Sequence, residues 1–318
     1  MNLSEKCKDA LTASIVGDAL GVPVESTPRQ ELALCAVKNM FGYGRYDLPK
    51  GTWSDDSSML LSTIESLLHG YNLERMGTAF CSWLFNGEWT PYGYAFDSGI
   101  TTFTALENLK SGTKTVYNSG GTSEDDNGNG SLMRILPAAL YFSNEDIDTF
   151  LERIHEISAI THAHPRSKIG CGIYSLLVRA LLSAHDKMNA YQTAIDQSTT
   201  YYSTKSLYKS ELHKYSRIIS FMLPSLDADE IYSSGYVVHT LETALWCFLN
   251  HTGTKDILLA AVNLGLDTDT NGTVAGGLAG LFYGLHSVPE EWINTLAQKD
   301  KIDQLIQQFT TVLSQKIH

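Results

Sequence analysis

Cationic residues are scarce in this chain of 318 residues, which has 23 Lys and Arg against 35 Asp and Glu. The formal net charge of −12 argues against non-specific binding to nucleic acid or to an anionic membrane, because both surfaces attract positive charge. An anionic substrate fits this composition if backbone amides or local cations receive it. We therefore expect no membrane partner, and nucleic acid only as a modified substrate.

Cysteines are also few, and none of the five belongs to a C-x-x-C pair. Zinc sites and disulfide frameworks depend on regular cysteine spacing, so the sequence predicts neither. Charged residues near the N-terminus interrupt any apolar run of the kind that a signal peptide needs. The longest weakly apolar stretch, near residues 272–285, is too short to span a membrane. We expect a cytoplasmic protein with reduced thiols.

Strand-like alternation is nearly absent, whereas apolar residues recur at helical spacing along most of the chain. The hydrophobic content of 43% is that of a globular protein with a sizeable core. We predict an all-α fold in which residues 1–318 form a single domain. Helices are predicted over residues 4–19, 57–68, 76–85, 101–109, 132–142, 147–161, 169–184, 237–249, 257–264 and 272–285, with a final amphipathic helix that includes residues 302–313.

Two acidic clusters lie far apart in this helical pattern, GTWSDDS at residues 51–57 and LDTDTNG at residues 266–272. Their donors are carboxylates and hydroxyls, the hard oxygen ligands that Mg²⁺ and Mn²⁺ prefer. If the clusters meet, their four aspartates supply the charge that two divalent cations neutralise. Without metal, each close pair would repel by about 4 kcal/mol in a partly buried setting. The alternative is that both clusters are ordinary helix N-caps, a position that Asp, Ser and Thr favour.

Glycines recur every fourth residue after the second cluster, at Gly272, Gly276, Gly280 and Gly284. Each glycine costs a helix about 0.8–1.0 kcal/mol relative to alanine, so four in register need a reason. We expect a central helix whose bare face lets a neighbouring backbone approach closely.

Two loops precede predicted helices and suggest contacts with a nucleotide. Residues 111–130 are rich in Gly, Ser, Asn and Asp and end in the turn Gly128–Ser131. A glycine-rich turn that enters a helix presents backbone amides to an anion, so a phosphate is expected there. Residues 232–236 place Tyr236 beside a glycine, where its ring can stack on a base; half-buried packing is the alternative.

Together these motifs resemble the ADP-ribosylglycohydrolase family nearly from end to end. The resemblance rests on residues 17–21 with Glu25, 51–58, 128–134 with Pro137, 161–162 with Pro165, and 267–284. It implies an orthogonal bundle of helices around two Mg²⁺ ions, with Mn²⁺ as the alternative. It also implies hydrolysis of the glycosidic bond between ADP-ribose and an acceptor. Arginine is our leading acceptor; serine, a nucleic-acid base and a small guanidine compound are the others.

The resemblance assigns a role to each candidate residue. Ser54, Asp55 and Asp56 are expected on one metal ion, Asp267 and Thr270 on the other, and Asp269 between both. Glu25 is the candidate that positions or deprotonates the attacking water, with Asp55 and Asp56 as competitors. Substrate contacts are expected from Asp97, Gly128, Asn129, Gly130, Ser131, His162, Ser234, Gly235 and Tyr236. The chain departs from the family pattern at Ser54, usually threonine, and at Leu266, where a second glycine is common.

Several interpretations stay open at the level of sequence. His162 fits either a diphosphate contact or a packed histidine, and His164 fits a structural role. Asp18, a carboxylate on an apolar helix face, is either a boundary residue or a support for the metal site. The whole protein fits an enzyme that acts on an ADP-ribosylated protein or small acceptor and releases ADP-ribose. The rivals are an inactive, crystallin-like relative that binds ADP-ribose, and another two-metal hydrolase such as a phosphoesterase.

Overall fold

The computed structural model describes residues 2–316, which form sixteen α-helices, short 3₁₀ turns and no β-strand. The predicted all-α fold is therefore confirmed. In chain order the helices are α1 (Leu3–Gly21), α2 (Arg29–Leu34), α3 (Asp55–Leu68), α4 (Leu73–Asn86), α5 (Ile100–Lys110), α6 (Leu136–Tyr141), α7 (Ile147–Ala159), α8 (Pro165–Leu181), α9 (Lys187–Ser203), α10 (Ser206–Lys209), α11 (Ser216–Ile219), α12 (Val237–Asn250), α13 (Thr254–Asn263), α14 (Thr268–Tyr283), α15 (Glu290–Thr295) and α16 (Lys299–Lys316).

Each helix predicted from apolar spacing is present, and most begin or end within a few residues of the prediction. The clearest misplacement is α6, which begins at Leu136 rather than at residue 132 because residues 130–134 form turns. The sequence analysis missed α9 altogether. Its buried face consists mainly of small residues and tyrosines, with Ile195 as its one branched aliphatic side chain, so it lacks the usual apolar signal.

Helices α1 and α14 cross at the centre of the molecule with their backbones in contact. A Cβ added at Gly276 would lie 2.4 Å from the carbonyl oxygen of Ala13, and one at Gly272 would lie 2.4 Å from that of Gly17. Such distances leave no room for a methyl group, so the glycine face permits the contact. Gly284 is the exception: α14 ends at Tyr283, and Gly284 follows it with φ 70°.

One continuous hydrophobic core extends through helices from both ends of the chain. The apolar face of α16 covers part of it, with Ile302, Leu305, Ile306, Phe309 and Leu313 buried. All five cysteines are free thiols. Within residues 2–316 we find no helix of the length and apolarity that crossing a bilayer requires.

The contact between α1 and α14 predicts a large cost for one methyl group. Gly276→Ala should lower the free energy of unfolding by about 2 kcal/mol or more, because the backbones must separate. Gly99→Ala is the matched control, since a Cβ there would meet nothing within 4 Å; because Gly99 is the N-cap of α5, its cost should stay near or below about 1 kcal/mol. Urea unfolding measures both. Equal stability of the two variants would contradict the backbone contact.

Candidate functional site

The two acidic clusters meet where α3 and α14 begin, at the wall of a cavity of about 300 Å³. Predicted site residues that line the cavity are Glu25, Asp55, Asp56, Asp97, Gly128, Asn129, Gly130, His162, Gly235, Asp267, Asp269 and Thr270. Ser54, Ser131, Ser234 and Tyr236 lie outside its lining. The chain thus brings the predicted carboxylates from four separated segments to one cavity, and Asp125, which was not predicted, adds a fifth.

Asp18 fixes the first cluster to α1. Its buried carboxylate accepts hydrogen bonds from the backbone amides of Ser54 and Ser57 at 3.0 and 2.9 Å, and from both hydroxyls at 2.9 and 2.5 Å. Burial raises the pKa of Asp18 to about 6, although these donors favour its ionised form. Asp18 is therefore a support for the site and not a boundary residue. The hydroxyl of Ser54 points toward it and is 3.3 Å from Asp56 Oδ2.

The helix-cap interpretation explains only Ser54 among the cluster residues. Ser54 caps α3, since its side chain accepts from the Asp56 amide at 3.3 Å. Asp267 precedes α14 but makes no side-chain cap. Its carboxylate instead accepts a hydrogen bond from Asn129 Nδ2 at 2.7 Å, while the same amide donates to Thr240 Oγ1 at 2.8 Å. The Asn129 amide therefore orients the carboxylate of Asp267 within the cavity wall.

The fold holds these carboxyl groups close together, although their ionised forms repel one another. Burial, followed by the charges of the neighbouring aspartates, raises the pKa of Asp55, Asp56 and Asp269 well above the usual range. Asp56 Oδ1 is buried and has no hydrogen-bond partner within the described residues. An oxygen in that state costs free energy unless something outside the chain satisfies it.

This donor set fits hard divalent cations. Asp55, Asp56, Asp267, Asp269 and Thr270 offer carboxylate and hydroxyl oxygens, and no Cys lines the cavity. A cation would satisfy the orphaned Asp56 Oδ1 and offset the repulsion that raises the pKa values.

A second carboxylate group lies at the same end of the cavity. Oxygen atoms of Glu25, Asp97 and Asp269 are within 4.8 Å of one another. Asp97 has φ 52°, a left-handed conformation that orients it toward this group, and burial followed by the Glu25 charge raises its pKa to about 6. The sequence analysis missed Tyr46, whose hydroxyl donates to Glu25. The sequence around Tyr46 contains no motif that predicts this contact, because Tyr46 and Glu25 meet only through the fold of the loop between them.

The loop Gly128–Ser131 lines the cavity beside Asp267, but not as the start of a helix. The amides of Leu132 and Met133 both donate to Asn129 O, at 2.7 and 3.2 Å, so they are already used. The amides of Gly128, Gly130 and Ser131 make no hydrogen bond among residues 2–316. The predicted helix N-terminus is therefore wrong here, whereas free amides are present.

Ser131 does not present its side chain to the cavity. Its hydroxyl is fully buried and accepts a hydrogen bond from Ser158 at 2.9 Å. A contact to substrate from this residue is limited to its backbone amide.

His162 is buried at this wall, and its ring faces the glycines. A Cβ at Gly128 would lie 3.5 Å from Nε2, and one at Gly130 would lie 2.9 Å from Cε1. Burial, then the charge of Arg134, lowers the pKa of His162 to about 3, so the ring is neutral.

The tautomer of His162 follows from its neighbours. Thr161 Oγ1 accepts from Arg134 Nη2 at 2.8 Å and lies 2.8 Å from His162 Nδ1. All three groups are satisfied when the threonine hydroxyl donates to Nδ1. The ring proton then sits on Nε2, which makes His162 a neutral donor on the side of Gly128.

The N-terminus of α5 completes this wall, and the sequence analysis missed it. Gly99, Ile100, Thr101 and Thr102 line the cavity, and no side chain caps the helix. Uncapped amides and the positive end of the helix dipole favour an anion. The absence of an acidic residue from the first turn of α5 was the available signal.

Tyr236 and Ser234 lie beside the cavity rather than in it. The backbone of Tyr236 forms an isolated bridge with Gly128, and its ring packs edge-on against His239 with centroids 5.0 Å apart. Ser234 Oγ is 2.7 Å from His239 Nδ1.

Leu266, two residues before the start of α14, has φ 61°, the left-handed conformation that glycine adopts freely.

Comparison with known proteins identifies this architecture. A family model for ADP-ribosylglycohydrolase matches residues 1–317. The ADP-ribosylarginine hydrolase Tri1 of Serratia proteamaculans is 31% identical over 307 residues, which cover 96% of this chain and 78% of that protein. The ADP-ribosyl-[dinitrogen reductase] glycohydrolase of Rhodospirillum rubrum is 29% identical over 303 residues, covering 94% and 92%. A solved structure described as an ADP-ribosylglycohydrolase-related protein complex has a TM-score of 0.80 at 27% identity and covers 98% of both chains. The chain belongs to the ADP-ribosylglycohydrolase family.

Proposed function

We propose that this protein hydrolyses the bond between ADP-ribose and arginine on ADP-ribosylated proteins and so reverses the modification. One observation carries the proposal: a single cavity is lined both by oxygen ligands for cations and by a loop with unpaired backbone amides. ADP-ribose needs both, because its ribose carries hydroxyls and its diphosphate carries negative charge. The relative from Serratia proteamaculans is named for arginine linkage, which supports that acceptor.

At the acidic end, Asp55, Asp56, Asp267, Asp269 and Thr270 would hold two divalent cations, with Ser54 beside them. When bound, such ions supply Lewis-acid polarisation of the ribose hydroxyls and of the attacking water. Magnesium is the proposed metal, with manganese as the alternative.

The residues of the chain then divide the reaction between them. Glu25 takes a proton from the water that attacks the anomeric carbon of the ribose, while Tyr46 holds its carboxylate in place. The carbon–nitrogen bond breaks as the guanidine leaves in its neutral form, and the guanidine then takes up the proton that Glu25 received, giving arginine and ADP-ribose. The neighbouring carboxylates of Asp97 and Asp269 stabilise the positive charge that develops on the sugar.

The amide-rich wall would receive the diphosphate. Lys and Arg do not line the cavity, so its anion-binding groups are the amides of the Gly128–Ser131 loop, the α5 N-terminus and His162 Nε2. Neutral donors bind a diphosphate without placing a protein cation beside the carboxylates. The adenine would lie toward Tyr236, outside the enclosed part of the cavity.

A cytoplasmic location of the protein stays a prediction.

A panel of linkages tests the proposed activity. Purified protein with Mg²⁺ should release ADP-ribose from ADP-ribosylated arginine faster than from ADP-ribosylated serine or a modified nucleobase. Asp269→Ala is the inactive control, because it removes the carboxylate shared by both groups. Release from arginine no faster than in that variant would overturn the proposal.

Glu25→Gln separates catalysis from binding. Turnover should fall by about 100-fold or more, because the amide cannot accept the proton from water. The affinity for ADP-ribose, measured by calorimetry, should stay near the parental value, since the proposed diphosphate contacts do not include Glu25. Glu31→Gln, on the exposed face of α2, is the control. If Glu25→Gln turns over at the parental rate, the proton goes to another group.

Metal removal should expose the repulsion between the carboxylates. Their pKa values are raised in the folded protein, so each contributes stability below its unfolded pKa of about 4 and loses it as pH rises through the folded pKa. Chelated protein should therefore melt at a lower temperature near pH 8 than near pH 5, and Mg²⁺ should restore it. In chelated Asp56→Asn protein, the melting temperature should fall less between pH 5 and pH 8 than it does in the parent. Equal melting with and without Mg²⁺ would contradict a cation site.

A further inference from the structure

A buried guanidinium behind the cavity connects three parts of the chain. Arg166 lies in the first turn of α8 and is only 4% exposed. Its Nη2 is 2.7 Å from Glu124 Oε1 and 2.7 Å from Glu211 Oε2, and its Nε donates to Glu211 Oε2 at 2.8 Å. Glu124 belongs to the loop that precedes Gly128, and Glu211 to the segment between α9 and α12.

The same guanidinium also contacts the aromatic residue assigned to the adenine end. Its carbon lies 5.7 Å from the centroid of the Tyr236 ring, within the range of a cation–π contact. Gly235, next to Tyr236, lines the cavity, and so does Asp125, next to Glu124. Arg166 is therefore one residue away from the cavity wall on two sides, without lining it.

The two ion pairs of Arg166 differ in how easily they open. The Glu211 side chain is 18% exposed, so that pair is largely sheltered from solvent. The Glu124 side chain is 65% exposed, so water and salt compete with that contact. A second link between this loop and α8 is polar and uncharged: Asn127 Nδ2 donates to Glu124 O at 2.9 Å, and Ser167 Oγ donates to Asn127 Oδ1 at 3.1 Å. The Glu124 contact is thus the exposed ionic link of a turn that hydrogen bonds also hold, among them Thr101 Oγ1 to Asp126 Oδ1 at 3.3 Å.

We propose that Arg166 is a positioning residue for the adenosine end of ADP-ribose. By holding the Glu124–Asp126 turn beside Tyr236, it sets the width of the cavity mouth. Through Glu211 it ties that width to residues 184–231, which do not touch the cavity. The inference rests on the proposed function, because it takes ADP-ribose as the ligand.

The consequence is a separation of binding from chemistry. Opening the Glu124 contact loosens the mouth, while the Asn127–Ser167 contact and the Asn129–Asp267 hydrogen bond keep the carboxylates in place. The KM for substrate and the Kd for ADP-ribose should then rise together while kcat is retained. A residue with a purely structural role would change melting without that split.

Glu124→Gln is the test, and Glu156→Gln is its matched control. Glu156 pairs with Arg153 at 2.8 Å, and Arg153 lies 4.8 Å from the ring centroid of Tyr71, the same Arg–Glu–Tyr arrangement away from the cavity. Both glutamates are exposed enough for the variants to fold. We expect Glu124→Gln to raise KM for ADP-ribosylated arginine and Kd for ADP-ribose by about threefold or more, with kcat unchanged. Glu156→Gln should match the parent.

Arg166→Lys adds a graded variant, since it keeps the charge but loses the two-pronged contact. Its KM should exceed that of Glu124→Gln, because both glutamates lose their geometry. Identical constants for Glu124→Gln and Glu156→Gln would overturn the positioning role and leave the proposed function intact. A fall in kcat at constant KM would overturn it as well. A parent protein that does not bind ADP-ribose would overturn both.

Discussion

The backbone contact between α1 and α14 determines where the site residues lie. Gly17 touches Gly272, and its neighbour Asp18 holds the start of α3 through four donors. At the end of α1, Gly21 packs against the backbone of Asp269, where a Cβ would lie 2.3 Å from the amide nitrogen. Two helices thus fix both acidic clusters relative to each other. Backbone contacts, and not side-chain contacts alone, therefore set the distance between the two clusters.

The cavity meets opposite electrostatic demands without a lining Lys or Arg among residues 2–316. Some of its lining groups are carboxylates whose burial raises their pKa values, and others are backbone amides and a neutral imidazole. Arg134, fully buried behind this wall, donates to Gly130 O and to Thr161 and does not reach the cavity. Its charge lowers the pKa of His162 and so helps to keep the ring neutral. The protein therefore presents donors to an anion without placing a cation beside the carboxylates.

The helices and the acidic clusters could be predicted from the sequence, because each depends on residues that are close together in the chain. Helical spacing predicted the all-α fold, and the hydroxyl–carboxylate pattern identified residues that meet at one cavity. Contacts between distant segments left no local signal: Tyr46 reaches Glu25 from a loop, and Arg166 joins two glutamates from different segments. The start of α6 was misplaced because Asn129 O receives two amides and closes a turn first. The metal ligands and the roles of the substrate residues stay predictions.

The central contact also sets the order in which a ribosome can complete this protein. Gly21 and Thr268, which hydrogen-bond across the crossing, are 247 residues apart in sequence. At about 5–20 residues per second, α1 emerges some 12–50 seconds before its partner. Thirteen of its 19 residues are buried in the finished fold, so a mostly apolar segment waits without its partner during that interval. The nascent α1 can pack against α3 during that interval, since Asp18 contacts the start of α3, whereas its α14 face is covered only when synthesis is nearly complete.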